Sequence, residues 1–113
     1  MNEDPANTRL VPMQMCASTL VLDQYADGWV LADSDGAAES RSFSQRVAFD
    51  FPFSFVPLVH VGLAGFDIDH CDSARLSVTA EAISNDGFTL VIRTWRQTRI
   101  YRVEIGWLAL GSS

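Results

Sequence analysis

The stretch RLSVTAEAISNDGFTLVIRTW, residues 75–95, decides the fold of this chain. Apolar residues alternate with polar ones on both sides of its central SNDG, residues 84–87, and such alternation is typical of half-buried β-strands. Asn and Gly favour the positive φ angles of a tight reversal. The stretch therefore predicts a β-hairpin, with strands over 75–84 and 88–95.

Four further runs resemble the hairpin strands, and the chain nowhere sustains the spacing of an amphipathic helix. They are MCASTLVL (15–22), SQRVAFDF (44–51), PLVHVGLAGF (57–66) and IYRVEIGWLAL (100–110). Six strands in 113 residues predict an all-β protein, a six-stranded antiparallel β-sandwich. We expect a flexible N-terminal arm over residues 1–12 and a single domain over residues 13–113.

The alternation also predicts which residues face the core. On the hairpin and the last strand these are Leu76, Val78, Ala80, Ala82, Phe88, Leu90, Ile92, Tyr101, Val103, Ile105 and Trp107. Three apolar residues fall on the opposite faces, where a single sandwich would expose them: Val91, Leu108 and Leu110. Such exposed apolar surface predicts self-association.

Charge and composition narrow the function. The net charge is −6, yet all eight basic residues are Arg and four of them fall in RTWRQTRIYR, residues 93–102. An acidic chain repels a phosphate backbone, so we expect no nucleic-acid binding. No apolar run approaches the ~20 residues of a membrane span, so we expect no membrane insertion. The acidic N-terminus lacks the apolar segment of a secretory signal, so export would need another route.

The sequence has no pattern typical of an active site. It offers no nucleophile with a base and no evident carboxylate pair, so we expect no enzymatic activity. We interpret His60, within a strand, as a packed or hydrogen-bonded residue. The acidic DIDHCDS, residues 67–73, lacks the spacing and glycine of a calcium loop and is interpreted as a solvated loop. Cys16 and Cys71 form no framework pattern; unpaired thiols are favoured, and a single disulfide is left open.

Arg-rich residues 93–102 also carry Trp95 and Tyr101. A sugar site needs directional donors for hydroxyl groups and an aromatic face for the apolar side of the ring. The flexible acidic segment ADSDGAAES, residues 32–40, would complete such a site if it folds beside these residues. Two interpretations stay open at this point: a sugar site, or an aromatic pair that closes one end of the core.

The string GFTLVIRTWRQTRIYRVEIGWLAL (87–110), preceded by ARLSVTAEAIS (74–84) and VAFDFPFSFVPLVHVGL (47–63), resembles the H-type lectin domain of snail agglutinins and of the C-terminus of discoidins. The most specific positions are Gly87, Phe88, Thr94, Trp95, Thr98, Tyr101 and Trp107. The resemblance implies a six-stranded antiparallel sandwich, assembly into homotrimers, and binding of N-acetylgalactosamine or galactose-type sugars between protomers.

The resemblance also implies a set of ligand-binding residues, of which the family's Arg, Trp and Tyr fall on Arg75, Trp95 and Tyr101. Arg96 stands where the best-known snail lectin has a histidine. In the loop, Gly36 aligns with the family's glycine, and Ala38 stands in place of its aspartate. Asp35 or Glu39 is then the expected carboxylate.

The predicted site therefore joins Arg75 and the 33–39 loop of one protomer to Trp95, Arg96 and Tyr101 of the next. It requires neither a cofactor nor a metal ion. The alternative is a structural or adhesion subunit, for example of a phage-like particle, that kept the fold and lost sugar binding.

Overall fold

The computed structural model describes residues 12–33, 40–70 and 73–113, which form strands and loops. The six strands are β1 (Met13–Asp23), β2 (Arg41–Ala48), β3 (Leu58–Asp69), β4 (Ser77–Ser84), β5 (Gly87–Thr94) and β6 (Arg99–Ser112). They pair into two three-stranded sheets, in the orders β1-β6-β3 and β2-β5-β4, and every pairing is antiparallel. The predicted six-stranded all-β sandwich is confirmed. In the part of the chain that is described, no helix is long and apolar enough to cross a membrane.

The hairpin predicted around SNDG is formed by β4 and β5, with Ser84 paired to Gly87 across the turn. The pairing register shifts between Glu81 and Ser84, where Ala82 is exposed and has a φ of 47°. An irregularity of this kind re-aims the following side chains, and Ile83 packs against the core. The prediction that Ala82 faces the core was therefore wrong.

A second irregularity changes the core face of β6. Asp67 of β3 pairs with Arg102, but the next residue, Ile68, pairs with Ile100. Tyr101 is therefore passed over on that side, and Ile100 takes the fully buried position while Tyr101 stays partly exposed. Placing Tyr101 in the core row was wrong, because strict alternation does not survive such a shift.

The core lies between the two sheets. The other predicted residues of β5 and β6 are buried there: Phe88, Leu90, Ile92, Val103, Ile105 and Trp107. Three residues of the β4 region pack against them partly buried: Leu76, Val78 and Ala80. Further buried members are Leu31, Phe43, Val47, Phe49, Phe53, Ile100 and Ala109. Burying one such large side chain stabilises the fold by about 1.5–3 kcal/mol. The core residues together are therefore the main source of stability.

The outer face of the β2-β5-β4 sheet is polar, and charged side chains on it pair with each other. Arg93 and Glu81 form an ion pair at 2.8 Å, and hydrogen bonds from Thr79 and from Arg93 lower the pKa of Glu81. Val91 lies on this face but is only 5% exposed, because β5 is the central strand and its neighbours cover it on both sides. The expectation that a single sandwich exposes Val91 was wrong.

The outer face of the β1-β6-β3 sheet is different. Leu110 pairs with Met15 on β1 and Leu58 on β3, and these side chains are 39%, 69% and 73% exposed. The apolar surface expected from the last strand is therefore present on this sheet alone. We call it the apolar face, defined by Met15, Leu58, Leu108 and Leu110.

The middle of the same sheet face is flat. Gly106 pairs with Gly62 across β6 and β3, and a Cβ added at Gly106 would meet no atom within 4 Å. His60 is exposed beside them, so of its two interpretations, a packed or a hydrogen-bonded residue, the first was wrong for a single chain. A second polypeptide chain would meet little steric obstruction here.

Candidate functional site

Two fully buried threonines hold the segment before β4 against residues 95–98, which we call the β5–β6 turn. The Thr98 hydroxyl accepts a hydrogen bond from the Arg75 amide at 3.0 Å and donates one to the Ser73 carbonyl at 3.2 Å. The Thr94 hydroxyl donates to the Arg75 carbonyl at 2.5 Å. Arg75 is thereby fixed beside the turn. Arg75 precedes β4. The prediction that it lies within that strand was wrong.

Arg41, the first residue of β2, joins two further segments at this end of the sandwich. Its Nη2 donates to the carbonyls of Arg96 and Thr98, at 2.7 and 3.0 Å. Its Nη1 donates to the carbonyl of Leu31 at 3.3 Å and to that of Asp33. Arg41 is not predictable from a sequence motif, because its partners are backbone carbonyls, which leave no pattern in the sequence.

The backbone of Arg96 is left-handed, with a φ of 59°, and the residue is exposed. For a residue with a side chain, that conformation costs about 1–3 kcal/mol and persists only when its surroundings hold it. The hydrogen bond from Arg41 to the Arg96 carbonyl is one such restraint. Strained, exposed residues of this kind cluster at ligand-binding sites.

Trp29, and not Trp95, closes the core at this end. The Trp29 ring lies 4.9 Å from that of Phe43, and its indole N–H donates to the Ile100 carbonyl at 2.9 Å. Trp29 packs against the core cluster. The interpretation in which the aromatic residues of the Arg-rich stretch merely close the core is therefore not supported.

Trp95 and Tyr101 are both partly exposed. Among the described residues, the close ring pairs involve other aromatic residues, so these two rings do not stack on each other within one chain. The Tyr101 carbonyl accepts a hydrogen bond from the Gln24 amide at 2.9 Å, which fixes the loop after β1 beside it. Both rings thus keep surface on which a ligand can pack.

The arginines near the β5–β6 turn differ in their partners from the other arginines on the strands. Three other arginines are paired with carboxylates on the strands, in the pairs Arg46–Asp86, Arg93–Glu81 and Arg102–Glu104. Within the described ranges, Arg96 and Arg99 form no ion pair. Arg75 donates to the Ser73 carbonyl at 3.1 Å. Guanidinium donors therefore gather at one end of a chain whose net charge is −6.

Several predicted residues lie outside the described part of the chain: Asp35, Gly36, Ala38, Glu39, Cys71 and Asp72. The Asp33 carbonyl accepts a hydrogen bond from Arg41, which also donates to the β5–β6 turn. Cys16 is a free thiol. Across the three described ranges, no three His, Cys, Asp or Glu side chains are grouped as a metal site requires.

Comparison with known proteins identifies the family of the chain. The H-type lectin domain family matches residues 44–110. A protein of Fuscovulum blasticum called "ATP synthase subunits region ORF 7" is 40% identical over 95 residues, which make up 84% of this chain and 80% of that protein. That name states no activity.

Two solved proteins share the fold. Recombinant discoidin II of Dictyostelium discoideum superposes with a TM-score of 0.76 at 21% identity, over 89% of this chain and 38% of the discoidin chain. The tailspike protein gp49 of Pseudomonas phage LKA1 gives a TM-score of 0.52 at 16% identity, over 88% of this chain and 15% of its own. This chain thus spans well under half of either solved chain, and at these identities the likeness establishes the fold.

The sandwich is that of a lectin-type, carbohydrate-binding fold. Because the family match covers more than half of the sequence, the chain belongs to the H-type lectin domain family. The resemblance inferred from residues 87–110 is confirmed.

Proposed function

We propose that this chain is a non-enzymatic carbohydrate-binding domain for N-acetylgalactosamine or galactose-type sugars. The observation that carries the proposal is that hydrogen bonds at the β5–β6 turn order Arg75, Trp95 and Arg96 at the same end of every protomer, so that Arg75 serves one intersubunit site and Trp95 and Arg96 serve the neighbouring one. A neutral sugar needs aimed donors beside an aromatic surface, and this turn offers both. The resemblance to the family's binding residues supports this class of sugar.

Each residue has a role in the proposed site. The guanidinium groups of Arg75 and Arg96 donate hydrogen bonds to sugar hydroxyl or carbonyl oxygens. Trp95 and Tyr101 pack against the apolar face of the sugar ring. From the loop, the proposed ligand-binding residues are Asp35 or Glu39, as hydrogen-bond acceptors, and Gly36. No cofactor or metal ion takes part.

The proposed assembly is a homotrimer with a sugar site between neighbouring protomers. One protomer contributes Arg75 and the 33–39 loop, and the next contributes Trp95, Arg96 and Tyr101. The apolar face supports self-association, because Met15 and Leu58 are 69% and 73% exposed in a single chain, and water-exposed apolar surface of this kind favours burial against a partner.

A glycan array probed at low and high salt tests the proposed function. We expect selective binding to glycans that end in N-acetylgalactosamine or galactose, with little dependence on salt, because the ligand is neutral. An array with no selective signal would contradict the proposal. Binding to heparin or DNA that falls steeply with salt would indicate a polyanion site instead.

A structural or adhesion subunit that has lost sugar binding is the second candidate. Two departures from the family pattern favour it, namely Ala38 at the loop aspartate and Arg96 at the histidine. The similar fold within a phage tailspike protein agrees with such a setting. This candidate predicts a stable oligomer that gives no signal on the array.

A further inference from the structure

Arg41 is placed to control the shape of the site without belonging to the predicted ligand set. Its four acceptors lie on two segments that are far apart in sequence. The carbonyls of Leu31 and Asp33 belong to the segment that leads into the 33–39 loop. The carbonyls of Arg96 and Thr98 belong to the β5–β6 turn. A single side chain thus orders the turn that contributes to one proposed site and the start of the loop that contributes to the neighbouring site.

The chemistry of this junction suits a guanidinium group. Arginine has five N–H donors in a rigid, planar fork, and four carbonyl oxygens converge on its two terminal nitrogens. A lysine offers three donors from one nitrogen atom, so it cannot bridge both segments equally well. The Nε of Arg41 is buried and has no acceptor among the described residues, which opposes folding.

We propose that Arg41 is the positioning residue of the sugar site. It holds Arg96 in its left-handed conformation and fixes the β5–β6 turn relative to Asp33 before the sugar binds. This inference rests on the proposed function. A site that is already ordered loses less conformational freedom on binding, and so binds more tightly than a mobile one.

Arg46 provides a matched control. It lies on the same strand, β2, and donates to the Ala82 carbonyl at 2.8 Å, near the β4–β5 turn at the opposite end of the sandwich. Arg41→Met and Arg46→Met remove the same group from two hydrogen-bonded positions and keep similar side-chain length. Arg41→Lys serves as a milder second variant if Arg41→Met does not fold.

The test has two readouts, both on the full chain. The first is the affinity for N-acetylgalactosamine by calorimetry. We expect Arg41→Met to bind about tenfold more weakly or worse, because the turn and the loop must then be ordered when the sugar binds, and Arg46→Met to match the parent. The second is hydrogen exchange of the Ile100 amide, which donates to the Leu31 carbonyl at 2.8 Å. We expect faster exchange in Arg41→Met only.

The outcomes separate this inference from the proposed function. If Arg41→Met matches the parent in affinity and in Ile100 exchange, Arg41 is not a positioning residue. If affinity falls equally in both methionine variants, the effect is general destabilisation and the inference is also overturned. If the parent does not bind N-acetylgalactosamine, the proposed function fails, and the Ile100 exchange alone decides whether Arg41 orders the two segments.

Discussion

The Thr98 hydroxyl accepts a hydrogen bond from the backbone amide of Arg75 at 3.0 Å, across 23 residues of sequence. This bond places an arginine that precedes β4 beside the turn that follows β5. Because Thr98 is fully buried, water cannot replace the bond. The geometry of the proposed site thus depends on a core residue that never touches the ligand.

Replacing that hydroxyl tests the dependence. Thr98→Val keeps the shape of the side chain but leaves the Arg75 amide and the Ser73 carbonyl without this partner. We expect the free energy of unfolding to fall by about 1–3 kcal/mol, measured by urea denaturation, and sugar binding to weaken. Ser44→Ala, which removes an exposed hydroxyl from the outer face of the other sheet, is the control and should change stability by less than about 0.5 kcal/mol. An unaltered stability in Thr98→Val would contradict the structural role given to Thr98.

Arg75 itself should matter for binding more than for folding. Its backbone is held by Thr94 and Thr98, so Arg75→Ala should stay folded and oligomeric. We expect its sugar affinity to fall by ~1.5–3 kcal/mol, or roughly 10- to 100-fold, measured by calorimetry with the strongest array ligand. Arg102→Ala, which removes a surface ion pair with Glu104, should bind like the parent. An Arg75→Ala protein that stays oligomeric and keeps full affinity would show that the site lies elsewhere.

The two tryptophans at this end should behave in opposite ways. Trp29 packs on Phe43 and bonds to the Ile100 carbonyl, so Trp29→Ala should lower the unfolding free energy by about 2–4 kcal/mol. Trp95 is partly exposed and has no place in the core cluster, so Trp95→Ala should lose less stability and more sugar affinity. Denaturation and calorimetry on both variants measure this. If Trp95→Ala lost as much stability as Trp29→Ala, Trp95 would have a structural role instead.

Self-association should depend on the flat part of the β1-β6-β3 sheet. A Cβ at Gly106 would meet open space in a single chain, so Gly106→Gln should fold normally while its side chain obstructs a docked partner. We expect light scattering to show a trimer for the parent and a monomer for Gly106→Gln. Ser44→Gln, on the polar outer face of the other sheet, should remain trimeric. A monomeric parent at micromolar concentration would contradict the assembly itself.

The sequence pattern predicted the strands well and failed where pairing departs from strict alternation. Phe88, Leu90 and Ile92 are buried because β5 alternates without interruption. Ala82 and Tyr101 were misplaced because each lies at a register shift. Such shifts depend on contacts between strands, and a single-strand pattern does not contain them.

The part of the candidate site that could be predicted is the part whose residues are recognisable by their side-chain chemistry. Trp95 and Tyr101 stand out because aromatic residues beside arginines suit a sugar. Arg41 and Thr98 act through backbone groups remote in sequence, so their roles emerge only when the fold brings the segments together. Val91 was misjudged for a related reason, because its cover comes from neighbouring strands.

The most direct test of the account is an NMR titration of the full chain with N-acetylgalactosamine. We expect the backbone amide shifts of Arg75, Trp95, Arg96 and Tyr101 to change together with one dissociation constant, while those of the opposite end, such as Phe51 and Phe55, stay unchanged. No shift change with any galactose-type sugar, or changes confined to the opposite end, would contradict a sugar site at the β5–β6 turn.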